Sequence, residues 1–381
     1  MVNYYSLKKG EHNMKVFCDG LDLSSAVLKV VKATSVKNFN PILEGIKIVA
    51  EDETLVLTAT DGDLAIEKKI KADVKVEGET VVPGKLFTEF VKKLTNGNIE
   101  LELNEKNQLK IKYTDSETFI QCLNVQEYPL IKTVDNTEYF SIKSKNFKKV
   151  IEKTVFAVAN DDIRPILKGA AFETENNNLT VVALDGYRLA KNTTEIEDCT
   201  GEFKAVFPGR NLKEISTLLD DSDNIIKVYF DRNYTLVEID DTKIVSRLLD
   251  GEFVNYKQII PSKFCSTMLV NKNLLADSLE QGAILARQST QNKVQFTINE
   301  KLLNLKTNSE IGNWQDNLSI TLEGNDMVID FNLGYIRDCL KAIDSDMVKF
   351  LLSGKASPCV IQGDGEEEQQ SLFLILPLRQ I

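Results

Sequence analysis

The sequence predicts an α+β fold of three tandem domains, each an antiparallel sheet with two helices on one face. Short segments that alternate in polarity or are rich in β-branched residues dominate the chain, and turn residues separate them, as is typical of antiparallel strands. Amphipathic helical segments occur at intervals between the strands, and such helices cover one face of a sheet. Sequence motifs also recur about 124 residues apart, which indicates repeated domains.

Three pairs of motifs carry the repeat. The members of each pair lie 125, 124 and 123 residues apart: Pro83-Gly84-Lys85 and Pro208-Gly209-Arg210, Thr60-Asp61-Gly62 and Leu184-Asp185-Gly186, and the weaker pair Asp221-Ser222-Asp223 and Asp344-Ser345-Asp346. The domains are therefore expected at residues 14–136, 137–262 and 263–381. The preceding residues 1–13 are expected to form a disordered extension.

Each domain is expected to contain two helices among its strands. The helical windows are 24–37, 84–94, 144–159, 209–219, 271–288 and 332–343. Strands in the first domain are expected at 46–50, 54–60, 99–103, 109–113 and 118–123. In the third window, 144–159, Phe147 and Val150 share one helical face, whereas Lys145, Lys149 and Lys153 share the opposite, solvent-facing one. Asp61-Gly62 and Asp185-Gly186 are expected to form turns with a positive φ.

The residues that most enzymes need are missing from the sequence. The single histidine, His12, lies in the polar N-terminal stretch, which argues against nucleophile triads and zinc hydrolases. The six cysteines form no CxxC pair, and no phosphate-binding GxxxxGK[ST] loop exists. We therefore expect no catalytic site, no metal and no cofactor. The longest apolar stretch, Leu372–Leu378, is too short to span a membrane, so we expect a cytoplasmic protein with reduced thiols and no membrane partner.

The distribution of charge points in a different direction from its sum. The chain has 46 basic and 57 acidic residues, and its net charge of −11 argues against nucleic-acid binding. The six helical windows, however, carry a net charge of +10, and the remaining residues carry −21. Glutamate forms helices as well as lysine does but is scarce in these windows, so propensity does not explain the sorting. Two hypotheses stay open: the helices face phosphates without reading bases, or their lysines are merely solvated on a three-domain interaction scaffold with no DNA role.

From Met14 onward the order of motifs resembles the bacterial DNA polymerase III β subunit family, the replicative sliding clamps. The matching segments are Pro41-Ile42-Leu43-Glu44-Gly45, Thr58-Ala59-Thr60-Asp61, Val82-Pro83-Gly84-Lys85, Ala183-Leu184-Asp185-Gly186-Tyr187-Arg188-Leu189-Ala190, Leu249-Asp250-Gly251-Glu252-Phe253 and Ile375-Leu376-Pro377-Leu378-Arg379. The resemblance implies a non-enzymatic processivity factor. It also implies a head-to-tail homodimeric ring of DNA-clamp domains around double-stranded DNA, without sequence preference. The implied partners are the polymerase III catalytic subunit, the clamp loader and other proteins with a clamp-binding peptide.

The resemblance also assigns residues by position. Residues of a partner-peptide pocket between the second and third domains are implied at Leu167, Gly186, Tyr187, Arg188, Leu189, Val254, Ile259, Tyr335, Leu376, Pro377, Leu378 and Arg379. The DNA-facing residues are expected to be Lys29, Lys32, Lys37, Lys85, Lys92, Lys149, Lys153, Arg164, Arg210, Lys213, Arg287, Arg337 and Lys341. The dimer interface is expected at Ile120, Ile284 and Leu285. Val254 and Gln258 stand where a proline and an arginine are common in the family, which bears on the choice of partner.

Overall fold

The computed structural model describes residues 13–35, 40–95, 97–134, 138–289, 291–365 and 367–379. The α-helices are α1 Gly20–Val30, α2 Gly84–Val91, α3 Ser144–Glu152, α4 Gly209–Ser216, α5 Lys272–Ala286 and α6 Leu333–Ala342. The first strands are β1 Met14–Asp19, β2 Gly45–Glu51, β3 Thr54–Thr60, β4 Leu64–Lys71, β5 Asp73–Val76, β6 Gly78–Pro83, β7 Asn98–Leu103, β8 Gln108–Tyr113 and β9 Ser116–Gln121.

The later strands continue the same antiparallel pattern. They are β10 Glu138–Lys143, β11 Gly169–Glu175, β12 Asn178–Leu184, β13 Arg188–Glu195, β14 Asp198–Cys199, β15 Lys204–Pro208, β16 Ile225–Phe230, β17 Tyr234–Ile239, β18 Thr242–Arg247, β19 Ser266–Asn271, β20 Lys293–Asn299, β21 Leu302–Ser309, β22 Gly312–Gly324, β23 Met327–Asn332, β24 Met347–Leu352, β25 Cys359–Gly363 and β26 Ser371–Ile375.

A helix overlaps each of the six predicted windows, but local hydrogen bonds shift the ends. Helix α1 begins at Gly20, before its window, because the Asp19 carboxylate accepts from the backbone N–H groups of Leu21 and Asp22 at 2.8 and 3.1 Å. Helix α3 ends at Glu152, well before the end of its window at residue 159. Just beyond it, the Thr154 hydroxyl donates to the carbonyl of Val150 at 2.7 Å. Window prediction therefore located the helices but not their caps.

The chain packs as two compact units, and the first contains the described residues up to Tyr139 together with Ile226–Arg247. One of its sheets has the strand order β5-β1-β7-β8-β9, and the other runs β16-β17-β18-β4-β3-β2-β6. Residues of the second predicted domain thus extend a sheet of the first, because β18 pairs with β4 from Thr242 opposite Lys68 to Ser246 opposite Leu64. Helices α1 and α2 pack against each other and onto this unit's strands.

The second unit contains Phe140–Ile225 and the residues from Leu248 onward. Its large sheet has the order β15-β11-β12-β13-β26-β25-β24-β19-β22-β21-β20-β23. Helices α3 and α4 pack together, as do α5 and α6. A row of buried rings forms part of the core, with Phe140 and Phe147 at 6.1 Å between centroids and Phe172 and Phe207 at 4.3 Å. Aromatic contacts at such distances add to the stabilisation from apolar burial.

The two predicted Asp-Gly turns have the expected backbone. Gly62 has φ +100° and Gly186 has φ +92°, a conformation that glycine adopts without steric cost. Both lie between consecutive strands, β3 to β4 and β12 to β13. Among the described residues, no helix is both long enough and apolar enough to cross a membrane.

Candidate functional site

The most distinctive site of the second unit lies where β13 pairs with the C-terminal strand β26. Arg188 lies opposite Ile375 and Leu189 opposite Leu374, so residues nearly 190 positions apart become neighbours. Beyond the end of β26, the backbone N–H of Leu376 donates to the carbonyl of Tyr187 at 2.9 Å. This bond places the C-terminal segment beside the Asp185–Arg188 turn.

An apolar cluster lies beneath this turn. Leu167 and Leu189 are buried within it, and Val254 and Leu376 pack against it while staying partly exposed. Tyr256 is also buried there, and its hydroxyl donates to Glu173 at 3.0 Å; burial first and the neighbouring carboxylate second raise the pKa of the Tyr256 phenol. The cluster therefore has a dry base and a partly exposed upper layer, which suits hydrophobic anchors of a ligand.

The rim of the cluster is exposed and includes one large ring. Tyr187 is 63% exposed and Ile259 is 37% exposed. Gly186, which precedes Tyr187, adds no side chain to the turn. A large aromatic residue so exposed on a rigid turn is a common anchor in protein recognition, because its contact area is gained at low cost in conformational entropy.

Arg188 is buried and paired with carboxylates, unlike the exposed Tyr187 that precedes it. Its side chain is 8% exposed, and its guanidinium donates to the Asp185 carboxylate at 3.0 Å, to the Asp338 carboxylate at 2.5 Å and to the Phe156 carbonyl at 2.7 Å. It also lies 4.5 Å from the centroid of the Tyr335 ring. Burial opposes the charge of Arg188, but the hydrogen bond to Asp338 and the two carboxylate charges outweigh it, so its pKa is raised.

The structure brings part of the predicted pocket together. Leu167, Leu189, Val254 and Leu376 share the cluster, and Gly186 and Tyr187 lie above it with Arg188 and Tyr335 alongside. The remaining predicted positions lie near the chain end or at the rim: Ile259, Pro377, Leu378 and Arg379. Ile260, rather than the predicted Ile259, packs against the cluster.

Four residues of the site were missed by sequence reasoning: Asp185, Phe156, Tyr256 and Asp338. Asp185 was visible within the quoted Leu184-Asp185-Gly186 motif, but only as a turn residue. Asp338 lies on α6, 150 positions from Arg188, and no local pattern links the two.

The basic residues predicted to face DNA are mostly exposed on the helices. Those that are exposed are Lys85, Lys92, Lys149, Arg164, Arg210, Lys213, Arg287 and Lys341, and those that are half-buried are Lys29, Lys32 and Arg337. Several form ion pairs, such as Arg337 with Glu280 at 3.2 Å. Lys37 lies outside the described residues, so its placement stays a prediction.

Lys153 is the exception, and its predicted solvent-facing position is wrong. Its side chain is 7% exposed, and its ammonium lies 3.1 Å from Asp344 and 3.5 Å from the buried carboxylate of Glu368. It borders a polar cavity of about 280 Å³ that also includes Asn192 and Ser371. Its backbone is still helical, and its N–H donates to the carbonyl of Lys149 at 2.9 Å, so the side chain is buried because carboxylates from distant parts of the chain cover it. No group of three or more metal-ligating side chains occurs in the part of the chain that the structure describes.

The predicted interface residues divide in a similar way. Ile120 is 3% exposed, because on β9 it points into its own sheet; its neighbour Phe119 is 54% exposed. Exposed apolar surface on this strand therefore comes from Phe119 and not from Ile120, because successive side chains point to opposite faces, and an interface at this strand stays a prediction. Ile284 is 71% exposed on α5, and Leu285 is half-buried.

Phe119 lies on an edge strand of the first unit, and Ile284 lies on α5, which packs against β21 and β22 in the second unit. Strand β9 ends the order β5-β1-β7-β8-β9. The first part of β22, residues 312–319, pairs with β21 on one side, whereas pairing with β19 begins only at Ile320. Among the described strands, none pairs with the other side of residues 312–319. Exposed edges of this kind are templates for strand pairing between chains.

Three family models together match most of the chain. They describe the N-terminal, central and C-terminal domains of the DNA polymerase III beta subunit and match residues 14–132, 141–255 and 257–379, respectively. The chain belongs to the DNA polymerase III beta subunit family. The family resemblance inferred from the motifs is thereby confirmed, as is a fold of three tandem clamp domains with antiparallel sheets.

Individual members of the family agree with this assignment. The beta sliding clamps of Staphylococcus epidermidis and Staphylococcus aureus are each 30% identical to this chain over 359 residues, covering 92% of it and 95% of the relative. The solved sliding clamp of Bacillus subtilis superposes with a TM-score of 0.92 at 28% identity, covering 97% of this chain and 100% of that one. The solved polymerase III beta subunit of Thermotoga maritima gives 0.90 at 28% identity, with the same coverage. The chain is therefore a sliding clamp, and these matches do not favour the scaffold hypothesis.

Proposed function

We propose that two copies of this clamp close head to tail around duplex DNA, and that the apolar cluster at β13 and β26 holds the peptides of polymerase and repair partners. The observation that carries the peptide proposal is the combination of a dry cluster at Leu167 and Leu189 with the exposed Tyr187 at its rim. An extended peptide with hydrophobic anchors fits such a cleft. Its implied owners are the polymerase III catalytic subunit, the clamp loader and other proteins with a clamp-binding motif.

Peptide binding is tested with the chain truncated after Leu376. The truncation removes Pro377, Leu378 and Arg379, which form part of the proposed pocket, but leaves the pairing of β26 intact. We expect a labelled clamp-binding peptide from the polymerase III catalytic subunit to lose at least about tenfold in affinity, the effect of one or two lost anchors. Fluorescence anisotropy measures it. Equal affinity in truncated and full-length chains would remove the pocket from this site.

We propose that the helices line the inner surface of the ring, called here the bore. Their net positive charge would make the bore basic. Phosphate contacts of this kind attract DNA without reading its sequence, and they weaken as salt rises. The variant K149E/R210E/K213E reverses three of these charges, and K204E/K243E/K301E makes the same change in net charge on strands or loops. We expect only the first variant to lose retention on closed circular DNA. Equal loss in both variants would mean that net charge, and not a basic bore, governs retention.

Dimerisation is proposed to join the edge of β9 in one copy to the first part of β22 in the other. Such a heterologous contact, made twice, closes a ring. Phe119 beside the first edge and Ile284 near the second supply exposed apolar surface. We expect F119D/I284D to sediment as a monomer and the wild type as a dimer, whereas L274D, which changes another exposed leucine on α5, stays dimeric. A dimer that survives F119D/I284D would place the interface elsewhere.

A further inference from the structure

The Asp-Ser-Asp tripeptide lies in the connection between the second helix and the following strand in both the second and the third domain. Asp221-Ser222-Asp223 follows α4, and Asp344-Ser345-Asp346 follows α6. The carbonyl of Ser222 accepts from the backbone N–H of Lys145 at 3.1 Å, and that of Asp346 accepts from the backbone N–H of Lys272 at 2.8 Å. Each tripeptide therefore contacts the first turn of a helix, α3 or α5.

The carboxylates of both tripeptides converge on one helix. Asp223 lies 2.8 Å from the ammonium of Lys145, and Asp221 lies 3.0 Å from that of Lys148. From the other tripeptide, Asp344 lies 2.9 Å from Lys149. The same oxygen of Asp344 also lies 3.1 Å from Lys153, just beyond the end of α3. All four lysines of this segment thus have a carboxylate partner from one of the two tripeptides.

The first domain shows that the loop itself does not require acidic residues. There the carbonyl of Gly97 accepts from the backbone N–H of Gly20, the first residue of α1, at 2.9 Å. This bond corresponds to the one from the Ser144 N–H to the Asn224 carbonyl at 2.8 Å in the second domain. With Gly97 matched to Asn224, the residues that correspond in sequence to Asp221-Ser222-Asp223 are Leu94-Thr95-Asn96, which carry no charge. The aspartates therefore serve the lysines rather than the path of the backbone.

Stability does not account for these ion pairs. The side chains of Asp221, Asp223 and Asp344 are 83%, 66% and 59% exposed, and ion pairs this exposed add little to stability because solvent and salt screen them. They matter more for the attraction of DNA. The charges of a cation and an anion about 3 Å apart largely cancel for a phosphate that lies more than a Debye length, about 8 Å, away. The hydrogen bond to Asp221 raises the pKa of Lys148, and the hydrogen bond from Lys145 lowers the pKa of Asp223, which keeps both pairs ionised.

We propose that Asp221, Asp223 and Asp344 are intramolecular counter-ions that hold the DNA affinity of α3 below what its lysines alone would give. The inference rests on the proposed function, in which the solvent face of α3 meets DNA. A phosphate approaching α3 must displace these carboxylates or share the lysines with them. Fewer counter-ions are then released on binding, and a weak, salt-tolerant contact lets a closed ring slide.

The test compares two variants with equal net charge. D221N/D223N/D344N keeps the side-chain shape and removes three charges beside α3; E202Q/E300Q/E323Q removes three exposed charges far from any helix lysine in sequence. D221N/D223N is measured in parallel, because it leaves the partners of the buried Lys153 unchanged. Binding to a short fluorescein-labelled duplex is followed by anisotropy from about 50 to 200 mM salt, a range over which phosphate contacts change affinity strongly.

We expect the two Asn variants to bind the duplex about tenfold more tightly at the low-salt end and with a salt slope steeper by about 1–3, since each added phosphate contact contributes about 0.9. The Gln variant is expected to match the wild type. If the Asn variants and the Gln variant bind alike while the wild type binds in a salt-dependent way, the counter-ion proposal is wrong and the DNA function stands. If the wild type binds no duplex at any salt and is not retained on circular DNA, the DNA function itself fails.

Discussion

Two turns, Asp61–Leu64 in the first unit and Asp185–Arg188 in the second, have the same backbone hydrogen bonds but different side chains around them. In each, the aspartate Oδ1 accepts from the backbone N–H groups two and three residues later, at 3.0 and 2.9 Å in the first turn and at 2.9 and 3.0 Å in the second. A later strand end also reaches each turn: Arg247 N–H donates to the Asp63 carbonyl at 2.8 Å, and Leu376 N–H donates to the Tyr187 carbonyl at 2.9 Å.

The side chains around the two turns differ. The strand before the first turn contributes the buried Thr58 and Thr60, whereas the matching positions before the second are Val182 and Leu184. Leu64 ends the first turn as a buried apolar residue, and its counterpart is Arg188 with its carboxylate partners. The comparison teaches that the repeat supplies the turn, and that substitutions around it place a buried cation with carboxylate partners at the second turn where the first has a buried leucine. Four predictions test this difference, from the largest expected effect to the smallest.

Replacing the last residue of each turn gives the largest effect. Arg188→Ala leaves the Asp185 and Asp338 carboxylates without their cation, and we expect a loss of about 3 kcal/mol in the free energy of unfolding. Leu64→Ala creates a cavity and costs a similar amount, about 2–4 kcal/mol. Urea unfolding measures both. Peptide affinity, measured by anisotropy, is expected to fall only for Arg188→Ala, and Arg188→Lys should recover part of it. Unchanged affinity in Arg188→Ala would show that the guanidinium does not position the pocket.

Removing the aspartate charge separates the role of the carboxylate in the turn from its role beside Arg188. Asp185→Asn keeps an oxygen for the backbone but weakens the bond from Arg188, and we expect a cost of about 1.5–2 kcal/mol. A third turn of the same type, Asp231–Tyr234, provides the control, since Asp231 accepts from Asn233 and Tyr234 at 2.7 Å. Asp231→Asn should cost less than about 0.5 kcal/mol in the same urea titration. Equal costs would assign the whole effect to the backbone cap.

The two turn glycines should be equal in stability and unequal in binding. A Cβ at Gly62 or Gly186 would meet no atom within 4 Å, so only the positive φ is strained. We expect Gly62→Ala and Gly186→Ala each to cost about 1 kcal/mol of unfolding free energy. Only Gly186→Ala should lower the affinity for the peptide, because it adds a methyl group at the rim of the cleft. A change in peptide affinity from Gly62→Ala would contradict the assignment of peptide binding to the second turn.

The exposed residue at the centre of each turn gives the smallest change in stability. Tyr187→Ala and Asp63→Ala are expected to shift the free energy of unfolding by less than about 0.5 kcal/mol, as surface substitutions do. Tyr187→Ala should nevertheless reduce peptide affinity about tenfold, the effect of losing an aromatic anchor. Asp63→Ala is the matched control and should bind as the wild type does. If the two variants bind alike, Tyr187 is not an anchor.

The sequence alone determined the features that depend on neighbours along the chain. The Asp-Gly turns, the positions of the six helices and the order of three similar domains all follow from local patterns or from motifs at a constant spacing. Caps were the local exception: Asp19 starts α1 before its window, because one carboxylate oxygen satisfies two helix N–H groups. Helix prediction follows apolar periodicity, which such a cap does not change.

Only the tertiary structure decided which side chains are buried and what they meet. Lys153 lies beside Glu368, 215 positions away, and Arg188 beside Asp338, so neither partner could be read from a helical face. On β9, a shift of one residue exchanges the buried Ile120 for the exposed Phe119, since successive side chains of a strand point to opposite faces. Burial and ion pairing depend on contacts between segments that are distant in sequence, and local sequence patterns do not predict those contacts.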